Sequence, residues 1–347
     1  MEERKEIKIF VLKTMTLGEA TTMGMEMQET KHSMKRRSPW HDYYRKGTYM
    51  LTLAVDGRAP LLGELRGCAE AEAGSCDVPR VELSELGSTI LNEEIQKIHR
   101  FYPMIDVWKA CIMPDHIHMI VRISEDMTGK KHLGMAVAGF KSGCNKAYWR
   151  IFNMQKPPRK GLFEEGYNDK ILLHEGQLDN WKAYLDDNPR RLLIKRQNPQ
   201  LFTVLCNMEI AVHNCQVVGN RFLLDIPDKM AVVVHRRYTD EEIARLREEW
   251  LACGERGGVL VSAAISQKEK NVLREAMNLG YRIILLRENG FPKYYKPSGE
   301  SFDACSKGLL LQISPWEYHM EKRTITRAQC LELNKMAERI AEKKQDG

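Results

Sequence analysis

A chain of 347 residues is long enough for two ordinary domains, and 43% hydrophobic with 29% charged residues is the balance of a folded, soluble protein. No apolar run approaches the ~18 residues of a membrane helix, which excludes a helical membrane span. A formal net charge of +6 permits a polyanionic partner without requiring one. The nine cysteines include no Cys-x-x-Cys pair, so a disulfide scaffold or zinc ribbon is excluded and reduced cytoplasmic thiols are expected. The opening MEERKEIKIFVLK mixes both charge signs and does not read as a secretory signal.

Residues 1–38 are polar, rich in Met, Thr and Glu, and weakly periodic, which predicts a mobile arm. Thr48 to Val55 has the alternation and composition of a strand. The small, turn-rich stretch 67–79 predicts a surface loop. Ser84 stands before a stripe of Ile90, Leu91, Ile95 and Ile98 at helical spacing. Ile105–Met113 and Ile117–Ile123, broken by Pro114-Asp115, predict a hairpin. A helix over 132–152 and a basic, Pro-rich connector at 155–161 follow. A further helix is expected over 175–187, ending at Asn188-Pro189 because a residue before proline disfavours helical geometry. Beyond about residue 206 the pattern changes. Short apolar strands at 258–261, 281–286 and 309–313 alternate with helices such as 266–279, which predicts a parallel α/β domain. A last helix is expected near 325–345.

Two stretches carry chemistry. In Met113-Pro114-Asp115-His116-Ile117-His118 the two histidines alternate along a strand, so they share one face while Ile117, Met119 and Val121 share the other. Two imidazoles side by side on a rigid strand make a chelating pair for a divalent metal; a half-buried strand that happens to bear two histidines would look the same. In Leu178 to Pro189, Leu178, Trp181 and Leu185 form an apolar helical stripe, and Tyr184 and Asn188 lie one turn apart. A phenol and an amide oxygen so placed could present a nucleophile and a hard metal ligand together. An edge tyrosine and a capping asparagine remain the plainer alternative.

Taken in order, Tyr43-Tyr44-Arg45-Lys46-Gly47-Thr48-Tyr49, the His116-Ile117-His118 segment, Gly161 to Lys170, and Tyr184-Leu185-Asp186-Asp187-Asn188-Pro189 resemble the REP-associated tyrosine transposases, single-tyrosine members of the HUH (His-hydrophobic-His) endonucleases. The resemblance spans roughly residues 40–200. It implies that His116 and His118, with Asn188 as third ligand, bind Mg²⁺ or Mn²⁺ on a scissile phosphate. It further implies that Tyr184 is the nucleophile of single-stranded or hairpin DNA cleavage, leaving a 5′-phosphotyrosine, with Tyr167 the competing candidate. Basic residues flanking this region, Lys141, Lys146, Arg150, Lys156, Arg159 and Lys160, then Arg190 and Arg191, are candidates for phosphate contacts. A non-catalytic hairpin-DNA-binding regulator and a relaxase or replication initiator of the same superfamily are the alternatives. The sequence leaves open monomer or homodimer, and the expected location is the cytoplasm, at the nucleoid.

The C-terminal part is faintly similar to the Rossmann-like core of DNA-processing-A proteins. Its strand, small residues and following helix near 258–267 could seat a phosphate at the helix N-terminus. The expected architecture is α+β: an arm (1–38), an HUH-type antiparallel sheet with packed helices (39–205), and a Rossmann-like α/β domain (206–347) with a DNA-gripping or interaction role.

Overall fold

The computed structural model describes residues 37–38, 40–72, 74–129, 131–155, 160–292, 295–319 and 323–342, so the expected arm lies outside the described residues except for Arg37 and Ser38. Within them the chain forms two compact units. One takes the described residues up to Leu62 together with Ser84–Lys182. The other takes Gly63–Leu83 and the described residues from Ala183 onward.

In the first unit, β1 (Gly47–Ala54), β4 (Ile105–Met113), β5 (His116–Ile123) and β6 (Asn168–Ile171) form an antiparallel sheet in the order β4-β5-β1-β6. The expected hairpin is β4–β5. Period-2 alternation sends Leu51, Met119 and Val121 to one face, where they meet Ile98, Leu133, Ala136, Val137 and Phe140 of two helices. These helices are α2 (Ile95–Phe101) and α3 (Leu133–Ile151), whose buried Leu133, Ala136, Val137, Phe140, Cys144 and Ala147 recur at helical spacing. Ahead of α2, α1 (Glu85–Thr89) starts where Ser84 caps it, its hydroxyl accepting from the Gly87 N–H at 3.1 Å. Between α1 and α2 the chain makes one π-helical turn, Ile90–Glu94, which buries both Ile90 and Glu94. A uniform 3.6-residue period does not reveal such a turn.

The second unit holds a two-stranded ribbon, β2 (Gly63–Arg66) with β3 (Arg80–Leu83), so the stretch read as a loop at 67–79 joins two strands. Its main sheet contains β7 (Leu205–Ile210), β8 (His213–Gly219), β9 (Lys229–Ala231), β10 (Val259–Ser262), β11 (Arg282–Leu286) and β12 (Leu310–Ser314). The order is β7-β8-β12-β11-β10-β9, with β9 to β12 parallel and the β7–β8 hairpin added antiparallel at β12. Helices α5 (Asp240–Glu255), α6 (Gln267–Asn278) and α7 (Glu300–Ser306) connect successive parallel strands. Side chains alternate between two cores. Trp250, Leu260, Leu273, Ile283 and Phe302 fill one, and Val259, Val261, Ile284, Leu311 and Ile313 fill the other with Leu333, Met336 and Ile340 of α8 (Arg327–Glu342). Two covered faces explain why these strands read as continuous apolar runs. No helix among the described residues is long and apolar enough to cross a membrane.

The expected stop at Asn188-Pro189 does not occur: α4 runs Gln177–Gln197 with Pro189 inside it. Proline's fixed φ is helical; what it removes is a donor to the preceding turn, at a cost of about 3 kcal/mol in a helix interior. Packing offsets that cost. Ile194 is buried in the second unit's core, Arg190 pairs with Asp187 at 2.5 Å and Asp303 at 2.9 Å, and Arg191 pairs with Asp187 at 3.6 Å. Pro189→Ala is therefore expected to raise unfolding free energy in urea by ~1–3 kcal/mol. A fall would mean that proline fixes a bend the unit needs.

Candidate metal and nucleophile site

On β5 the two histidines lie side by side, ring centroids 4.8 Å apart and planes at 85°, both buried. Each has its Nδ1 engaged. His116 Nδ1 donates to Asp115 Oδ1 at 2.6 Å, and His118 Nδ1 is 2.8 Å from the Thr52 hydroxyl on β1, its register partner. At His116 the carboxylate keeps the proton on Nδ1 and leaves the lone pair on Nε2, the arrangement by which a carboxylate orients a metal-binding imidazole, while the Thr52 hydroxyl fixes the ring of His118. Sequence reasoning missed both partners, although Asp115 adjoins His116.

Asp115 is set by competing effects. Burial raises its pKa, but the His116 hydrogen bond and charge, with Arg58 3.5 Å away, outweigh it and hold the carboxyl below its ordinary value. A depressed folded-state pKa means this carboxylate's stabilisation is full above the ordinary aspartate range and is lost only as pH falls through the lowered value. Asp115→Asn keeps the shape but weakens the hydrogen-bonded anion behind His116. Mn²⁺ affinity is expected to drop about 10–100-fold by calorimetric titration; unchanged affinity would remove Asp115 from the site.

Among the described residues no three His, Cys, Asp or Glu side chains stand together as a metal set. Asn188, on α4, is buried, and its Nδ2, a hydrogen-bond donor rather than a metal ligand, has no partner among the described residues. Tyr184 lies one turn before it and is half-buried, with the Arg191 guanidinium 5.7 Å from its ring centroid. The histidines belong to the first compact unit, Tyr184 and Asn188 to the second.

Tyr167 is built differently. The Arg37 guanidinium stacks 3.4 Å from its ring centroid and pairs with Asp169, to which Tyr43 also donates at 2.8 Å. Burial pushes the Tyr167 phenol above its ordinary pKa, against a smaller lowering by Arg37. That environment disfavours a phenolate.

The basic candidates divide. The Lys141 ammonium donates to the carbonyls of Glu164 and Gly166, both at 2.5 Å, and burial lowers its pKa. It holds the 164–166 turn. Lys146 and Arg150 are exposed on α3; Lys160 is exposed, 3.5 Å from Asp56; Lys156 and Arg159 lie outside the described residues. Arg190 and Arg191 make the ion pairs given above, and Arg191 also stacks 3.8 Å from the Phe302 ring centroid.

In the second unit the expected phosphate seat before α6 already holds an anion. The Glu269 carboxylate accepts from the N–H groups of Val234 at 2.8 Å, Ile265 at 2.7 Å and Ser266 at 2.9 Å, and the residue is 1% exposed. Three backbone donors around that helix start are thus spent internally.

A scan against models of known protein families finds no match. An uncharacterised protein of Haemophilus influenzae is 22% identical over 176 residues, covering 46% of this chain and 88% of that protein. Among solved structures, a REP-associated tyrosine transposase bound to a REP hairpin covers 44% of this chain and 73% of its own at 16% identity and TM-score 0.30. A protein of Deinococcus radiodurans described as a transposase covers 44% and 95% at 14% identity and TM-score 0.26. DNA processing protein A of Helicobacter pylori, whose structure concerns single-stranded DNA binding, covers 37% and 56% at 18% identity and TM-score 0.27.

Proposed function

We propose that this protein cuts and rejoins single-stranded or hairpin DNA through a tyrosine nucleophile at a divalent-metal site. The observation that carries the reading is the His116–His118 pair on β5, with both Nδ1 atoms engaged by Asp115 and Thr52. The partners that satisfy these two buried imidazoles also fix their orientation, as ligation of a metal requires.

In this reading His116 and His118, joined by Asn188, would hold Mg²⁺ or Mn²⁺, which when bound supplies charge neutralisation on the scissile phosphate. The remaining work falls to the chain. Tyr184 Oη gives its proton to water and attacks phosphorus; the bond from phosphorus to the 3′ oxygen breaks, and that oxygen takes a proton from water and leaves as a free 3′-OH. The 5′-phosphate stays esterified to Tyr184. An aryl phosphodiester keeps the bond energy for rejoining, which hydrolysis would discharge.

The direct test incubates the full chain with labelled hairpin oligonucleotides from its own genomic flanks, with Mn²⁺ and with EDTA, and resolves products on a denaturing protein gel. A metal-dependent covalent adduct supports the reading. Cleavage without an adduct points to hydrolysis, and binding without cleavage to a regulator.

A further inference from the structure

Between α2 and α3 lies a cavity of about 660 Å³, contained within the first compact unit and separate from the histidine pair. Two devices open it. Glu94, the last residue of the π turn Ile90–Glu94, lies inward at 6% exposure. On α3, Gly143 and Gly139 lie one turn apart. A Cβ at Gly143 would collide with the Glu94 carboxylate, whereas one at Gly139 would meet nothing within 4 Å. One glycine thus admits the carboxylate and the other leaves open space beside it.

The walls are chemically ordered. At the floor Glu94 Oε1 accepts from Lys97 Nζ at 2.6 Å, so an acceptor and a cationic donor stand together. Lys131, Lys146 and Arg150 line the cavity as well, all exposed, and Phe101 at its edge is 66% exposed. A ligand that satisfies this lining carries adjacent N–H donors for a carboxylate, an acceptor for an ammonium, a flat face for an aromatic ring, and phosphates for the outer cations.

We propose that the α2–α3 cavity is a pocket for one unpaired guanine nucleotide of the DNA strand. Guanine alone among the DNA bases presents two neighbouring donors, N1–H and the N2 amino group, next to an acceptor, O6. Glu94 takes the donors and Lys97 the acceptor. Adenine and cytosine offer one amino group beside a ring nitrogen whose lone pair a carboxylate repels. Thymine offers a single N–H between two carbonyls. Splayed single-stranded bases are read in this way, by their Watson–Crick edges and by stacking on aromatic side chains. The pocket rests on the reading above only in taking the polymer to be single-stranded DNA; it does not need the tyrosine.

Fluorescence anisotropy of the full chain with oligo-dT undecamers carrying a central G, A, C or T tests it. The guanine oligomer is expected to bind about tenfold or more tightly than the others, as for one bidentate base contact. Glu94→Gln, which keeps the shape and the Lys97 contact, is expected to bring the four oligomers to parity while leaving oligo-dT affinity unchanged. Gly139→Leu, which fills the open space, is expected to do the same, and thermal melts verify that both variants fold. Tyr184→Phe should retain the guanine preference. Equal binding of all four oligomers by the wild type, or a preference that survives Glu94→Gln, overturns the pocket while leaving the DNA reading standing. If no oligomer binds, the DNA reading falls instead, and calorimetry with dGMP against dAMP decides the pocket alone: equal heats overturn it.

Discussion

Tyr184→Phe is expected to abolish the covalent protein–DNA adduct and to reduce strand cleavage by on the order of 10³-fold or more, while oligonucleotide binding and thermal stability change little. The substitution removes one oxygen from a half-buried ring and leaves intact the packing of Trp181, Leu185 and Ile194, the buried residues that hold α4. Arg191 can stack on phenylalanine as on tyrosine. Thermal melts of the variant separate loss of the nucleophile from loss of the fold. Tyr167→Phe is the matched control. Its phenol is buried, raised in pKa and covered by Arg37, so adduct formation should persist. An adduct that survives Tyr184→Phe and disappears with Tyr167→Phe would exchange the two roles and leave the metal assignment untouched.

What the sequence revealed and concealed follows from which forces leave a periodic trace. The β4–β5 hairpin and α3 were legible because each buries one face, and Met119 and Val121, or Leu133, Val137 and Phe140, repeat at the matching period. The shared face of His116 and His118 follows from the same alternation. The passage of α4 through Pro189 was not legible. Local rules stop a helix there, and the forces that carry it on come from Asp303 and the core around Ile194, distant in sequence. Glu94 was passed over for a different reason: it stands four residues after Ile90 and four before Ile98, on the buried face of the stripe, where a charged residue is not expected. The partners of the histidines needed register, since Thr52 reaches His118 only because β1 and β5 pair antiparallel.

Glu269 provides the second large effect, on stability. Its position three residues after Ser266 is a capping-box pattern readable in sequence, but the third hydrogen bond, from Val234, crosses from another part of the unit. Glu269→Ala would strand three N–H groups around a buried void. Each unsatisfied buried donor costs about 1–3 kcal/mol, and water entering the space recovers part of that, so a loss of ~3–5 kcal/mol is expected in urea unfolding of the second unit. Glu269→Gln should cost less, because one amide oxygen can still accept while its NH₂ faces donors. The same substitution separates an internal anchor from an anion site. If the helix start were free to take phosphate, Glu269→Ala would leave stability nearly unchanged and phosphate would stabilise the wild type. With the carboxylate already seated there, phosphate should not raise the melting temperature of the wild type, and should raise that of Glu269→Ala by occupying the vacated donors.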